Sequence, residues 1–113
     1  MESFKVLEWN INHRQGCSQK YMPEWVSTVI RKDCADTDII ILTECSSNVP
    51  NWDTIKKRIF EDKEYLVFES FNNQGHQNDV VIAVKKERFS VKDTRSHYSA
   101  NPDTADHLEI KCK

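Results

Sequence analysis

Four aliphatic side chains in succession, Ile39-Ile40-Ile41-Leu42, constrain this chain more than any other feature. Successive strand residues point to opposite faces, so an unbroken aliphatic run predicts a strand covered on both, the usual situation in a parallel sheet. A helical pattern leads into it. Val26, Ile30 and Cys34 recur every four residues, Trp25 and Val29 lie beside them, and Pro23 stands as a first-turn proline, so residues 24 to 34 read as a helix that Asp36-Thr37-Asp38 ends. Ahead of it, Phe4-Lys5-Val6-Leu7-Glu8-Trp9-Asn10-Ile11 reads as a first strand, followed by a polar loop.

Each of these strands closes on a polar residue, Asn10 in the first and Glu44 in the second. If the two are parallel neighbours joined by the helix, both tips emerge at the carboxyl edge of the sheet, where open α/β folds place their ligands. An amide oxygen and a carboxylate converging there suit a hard divalent cation. Asn10 alone is accounted for by a strand-end amide bonding neighbouring backbone. Glu44 is harder to explain that way, because a carboxylate after an aliphatic run is costly to desolvate unless it meets a cation or reaches the sheet edge.

Beyond residue 50 a second helix carries Trp52, Ile55 and Ile59 on its apolar stripe, with Lys56, Lys57 and Arg58 facing water. Tyr65-Leu66-Val67-Phe68 and Val80-Val81-Ile82-Ala83-Val84 are predicted strands, paired as a hairpin across the polar segment 72–78. Lys85-Lys86-Glu87-Arg88 reads as a solvated turn, Ser90-Val91-Lys92 as a weak fifth strand and residues 107–112 as a sixth. Trp9, Trp25 and Trp52 are all assigned to the core. The expected fold is α/β, a mixed sheet with helices on one face. Such a sheet leaves its other face apolar and open.

The 113 residues suit one domain, and 16 basic against 18 acidic side chains give a formal charge of −2, so no bulk positive field draws the chain to nucleic acid or a membrane. No apolar run approaches a membrane span and the N-terminus lacks a signal-peptide pattern, so the expected location is cytoplasmic, without membrane partners. Cys17, Cys34, Cys45 and Cys112 show no zinc-binding spacing and read as reduced thiols.

The segments Val6-Leu7-Glu8-Trp9-Asn10-Ile11-Asn12, Asp38-Ile39-Ile40-Ile41-Leu42-Thr43-Glu44 and Gln74-Gly75-His76-Gln77-Asn78-Asp79-Val80-Val81-Ile82 resemble, in order and spacing, the opening half of the endonuclease/exonuclease/phosphatase superfamily. The resemblance implies half of a DNase I-like four-layer α/β sandwich, hydrolysis of phosphoesters, and a Mg²⁺ or Mn²⁺ ion held with the help of Asn10 and Glu44. It sets Asn12 close to the metal, and His76 and Asn78 near the substrate groove, although a solvated turn explains the last two as well.

Complete members carry a later Gly-Asp-x-Asn segment and a terminal Ser-Asp-His segment. No Asp-x-Asn occurs in this chain, and Ala105-Asp106-His107 is its only counterpart of the latter. Either His107 is a catalytic histidine brought forward by a deletion, or 107–112 is an ordinary mid-domain strand; the second needs no lost half-sandwich and is the better account. The chain then reads as the N-terminal portion of such a domain, inactive as 113 residues, its partner a phosphoester of unknown class together with a missing C-terminal half. The competing reading is a non-catalytic interaction protein whose exposed sheet pairs with a second copy, as a homodimer, or with another chain.

Overall fold

The structure, a computed structural model, describes residues 3–11, 24–33, 36–45, 51–60, 64–70, 79–95 and 107–113. Its elements run β1 (Val6–Asn10), α1 (Trp25–Asp33), β2 (Ile39–Cys45), α2 (Trp52–Ile59), β3 (Tyr65–Glu69), β4 (Asp79–Lys85), β5 (Phe89–Arg95) and β6 (His107–Cys112). Four strands make a mixed sheet in the order β1-β2-β4-β3, with β1 parallel to β2 and the other pairings antiparallel; β5 and β6 form a separate antiparallel pair. None of the described helices is long and apolar enough to cross a membrane.

Both helices cover one face. Val26 and Ile30 of α1 and Trp52, Ile55 and Ile59 of α2 are buried with Ile40, Leu42, Val81 and Ala83. The strand register puts those sheet residues on a single side: Leu7, Ile40, Ala83 and Val67 are cross-strand partners, as are Trp9, Leu42, Val81 and Glu69. The expectation that β2 is covered on both faces needs correction. Ile40 and Leu42 are 1% and 0% exposed, but Ile39 and Ile41, which alternate with them, are only half-buried.

Three further readings change. Trp25 is 56% exposed, because as the first helical residue it lies about 100° around the helix from Val26; its ring leans on Trp9 at 5.7 Å. Lys56 turns from water to the Glu69 carboxylate, 2.9 Å away, which also accepts a 3.1 Å hydrogen bond from Trp52 Nε1. The fifth strand is seven residues long, since pairing with β6 extends it past its polar centre.

Arg88 does not belong to a merely solvated turn. Its guanidinium reaches buried Asp38 at 3.3 Å, donates to the Ser3 carbonyl and lies 5.0 Å from the centre of the Phe4 ring. Asp38 Oδ2 also accepts the Lys5 backbone N–H at 2.9 Å, and Phe4 packs on Phe89 with centroids 4.9 Å apart. This cluster lies at the sheet edge where β1 and β2 begin and ties the β5–β6 pair to the main sheet. Lys5 and Asp36 form an exposed ion pair nearby; their shared hydrogen bond raises the Lys5 pKa and holds the Asp36 carboxyl below its usual value. The contribution of Asp36 is therefore present above the ordinary carboxylate range and lost as pH falls through its lowered pKa. Salt screens it.

Candidate functional site

Asn10 and Glu44 end neighbouring co-directional strands. Asn10 pairs in register with Thr43, and the Ile11 N–H donates to the Thr43 carbonyl at 3.1 Å, so the two strands stay joined to their tips. With strands about 4.8 Å apart and one residue of offset, the Asn10 and Glu44 backbones lie on the order of 6 Å from each other. That spacing lets two side-chain oxygens converge on one small cation.

The alternation of a regular strand would defeat this arrangement. Asn10 shares its face with Val6 and Glu8, away from the helices, whereas Glu44 counted from Leu42 would fall on the helix-covered side. The strand breaks alternation there. The register against β4 shifts between Leu42 and Cys45, and both of those residues are in the core although three apart. Thr43 and Glu44, the two residues between them, are each half-buried and outside that core. Glu44 has a left-handed φ of 52°, the only positive φ at a non-glycine residue among those described. The register shift and the positive φ mark a bulge at this position, so strict alternation no longer fixes the face on which Glu44 lies.

Left-handed backbone costs a residue with a Cβ about 1–2 kcal/mol, and such strain gathers where a side chain is held for function. Thr43, the register partner of Asn10 on the same face, escaped the sequence reading. The signal that could have found the bulge is the core spacing of three from Leu42 to Cys45 around a polar Thr-Glu pair.

The other candidates are placed less tightly. Asn12, His76 and Asn78 lie outside the described residues. His107 opens β6 in the second sheet, paired with Arg95, and with Asp93, Leu108 and Glu109 lines an open cleft of about 250 Å³. Among the described residues no group of three or more His, Cys, Asp or Glu side chains could enclose a metal. The donor set at the β1–β2 edge, one amide and one carboxylate oxygen, still fits magnesium or manganese, which keep several waters and need only one or two protein carboxylates. It suits zinc less well, because zinc sites are built mainly on cysteine sulfur and histidine nitrogen. Neither Cys45 nor Cys112 is in a disulfide.

Comparison with solved structures decides the fold. An endonuclease/exonuclease/phosphatase family protein from Bacteroides thetaiotaomicron is similar over 96% of this chain, with a TM-score of 0.57 at 15% sequence identity. The α/β architecture is thus that of a known fold. The alignment takes in 45% of that protein, so this chain spans less than half its length. No family model matches the sequence, and no curated protein matches it significantly.

Proposed function

We propose that this chain carries the metal-holding edge of a phosphoester hydrolase of the endonuclease/exonuclease/phosphatase type and, as 113 residues, binds a divalent cation without completing hydrolysis. The observation that supports this reading is the parallel pairing of β1 with β2, which brings the strand ends that carry Asn10 and Glu44 to one carboxyl edge, with the bulge at Glu44 releasing that residue from strict alternation. Glu44 supplies the charged oxygen and Asn10 a neutral one, a pair suited to Mg²⁺ or Mn²⁺. When bound, such an ion neutralises phosphoryl charge and presents a water for attack.

Asn12, close in sequence to Asn10, is a third candidate donor in this reading, and His76 and Asn78 border the phosphoester groove. His107, on the second sheet, takes no part. The two-layer unit described above is then half of a four-layer sandwich in a cytoplasmic protein. The chain's lack of an Asp-x-Asn segment leaves no counterpart for the general base or phosphate-binding Asn of complete enzymes. A catalytic set that acts as a unit loses nearly all of its rate enhancement when members are missing.

Calorimetric titration with Mn²⁺ and Mg²⁺ tests the proposal. Two protein donors should give saturable binding with a dissociation constant on the order of 1 mM, weakened in Asn10→Ala and lost in Glu44→Ala, and bis(p-nitrophenyl) phosphate should stay intact. Binding that persists in Glu44→Ala would remove the metal site. Turnover abolished by Glu44→Ala would remove the claim of inactivity.

A further inference from the structure

Thr43 stands between the two residues of the proposed cation pair. It is the register partner of Asn10 across the parallel strands and the residue that immediately precedes Glu44. One step back on each strand, Leu42 is in the core beneath the helices and Trp9 packs against it, so Asn10 and Thr43 stand together on the opposite face. Register partners on adjacent strands are about 4.8 Å apart, a spacing at which an amide oxygen and a hydroxyl can reach one small ion.

The backbone of Thr43 is already committed. Its carbonyl accepts the Ile11 N–H at 3.1 Å and the Cys45 thiol at 4.0 Å, contacts that fix the residue across the strand tips and at the bulge. What Thr43 can offer a ligand is therefore its hydroxyl, and branching at Cβ limits that oxygen to a few directions. The side chain is half-buried, which restricts it further.

We infer that Thr43 is a further oxygen donor of this edge, its hydroxyl joining the Asn10 amide oxygen and the Glu44 carboxylate on a divalent cation. The inference rests on the hydrolase reading and extends it by one residue. Magnesium and manganese prefer hard oxygens and hold poorly to two protein donors, and a threonine or serine hydroxyl on magnesium is a regular ligand in the phosphate-binding loops of nucleotide hydrolases. A neutral donor at position 43 adds to the site without adding charge. Affinity should accordingly respond to the oxygen at this position and to any charge placed there.

Titration with Mn²⁺, followed by calorimetry, reads both responses. Thr43→Val keeps shape and strand propensity but loses the oxygen, and should weaken binding about fivefold, whereas Thr43→Ser should stay within about twofold of the wild type. Thr43→Asp should tighten binding about tenfold and restore it in Glu44→Ala, because ligand charge sets the affinity of such sites. Val6→Asp puts the same charge on the same face at an exposed position about 13 Å along β1, beyond a Debye length in ~0.1 M salt, and should bind like the wild type. Circular dichroism checks each fold, and the contrast of valine with serine carries the test if the aspartate variant unfolds. Binding lost in Glu44→Ala but equal in the wild type, Thr43→Val and Thr43→Asp overturns this inference and leaves the hydrolase reading standing. Tightening in Val6→Asp equal to that in Thr43→Asp overturns it as well, and a wild type that binds no Mn²⁺ removes both.

Discussion

Asp38→Ala is expected to destabilise the protein by about 3 kcal/mol, enough to lower Tm by more than ~10 °C. The Asp38 side chain is 5% exposed and faces Arg88, which is 34% exposed, so its removal strands a half-buried guanidinium and an amide donor together. Partial exposure of Arg88 keeps the figure at the low end of what breaking a buried pair costs. The backbone of Asp38 also sits at a junction. Its N–H donates to the Lys5 carbonyl at 2.8 Å and its carbonyl accepts from Lys85 N–H at 3.0 Å, so the residue joins β1, β2 and β4.

Local consequences should follow the same contacts. The β5–β6 pair, a two-stranded ribbon too small to be stable alone, is held through Arg88 and the Phe4–Phe89 contact. Amide exchange in β5 and β6 should therefore accelerate in Asp38→Ala more than exchange in β2. Asp38→Asn, which keeps an acceptor for the Lys5 N–H, should lose about half as much stability. Equal losses in the two variants, or a loss below about 1 kcal/mol in Asp38→Ala, would show that Arg88 is held by Phe4 and Ser3 instead.

Leu42→Ala should cost about 3–4 kcal/mol. Leu42 is fully buried, in register between Trp9 and Val81 beneath the helices, where nothing can collapse into the space it vacates without moving the sheet. Its neighbour Ile41 faces the other way and is half-buried, so Ile41→Ala should cost about half as much. Chemical denaturation of the pair measures the asymmetry of the two faces. Equal costs would mean that both faces are covered, as the unbroken run of aliphatics first suggested.

That run shows what a sequence can and cannot convey. Among the described residues, periodicity located both helices and every strand, because Val26, Ile30, Ile55 and Ile59 are core positions whose spacing is the helix period itself. It could not separate a strand buried twice from one buried once, since Ile39 and Ile41 are as apolar as Ile40. Asp38 and Arg88 were legible only as a helix stop and a turn, because their pairing spans fifty residues and leaves no local pattern. Trp25 misled for the reverse reason, a large aromatic beside an apolar stripe but one helical step outside it.

The site followed the same division. Chain order and strand type sufficed to bring Asn10 and Glu44 to one edge. The means was hidden, because strict alternation places Glu44 on the wrong face and only the left-handed φ and the register shift lift that constraint.

Paramagnetic mapping with Mn²⁺ tests that shared edge most directly. In amide NMR spectra, trace Mn²⁺ should selectively broaden Asn10, Ile11 and Thr43 through Cys45, leave β5 and β6 sharp, and lose this selectivity in Glu44→Gln. Broadening centred on another acidic cluster, or unchanged when Glu44 loses its charge, would contradict a cation held between β1 and β2.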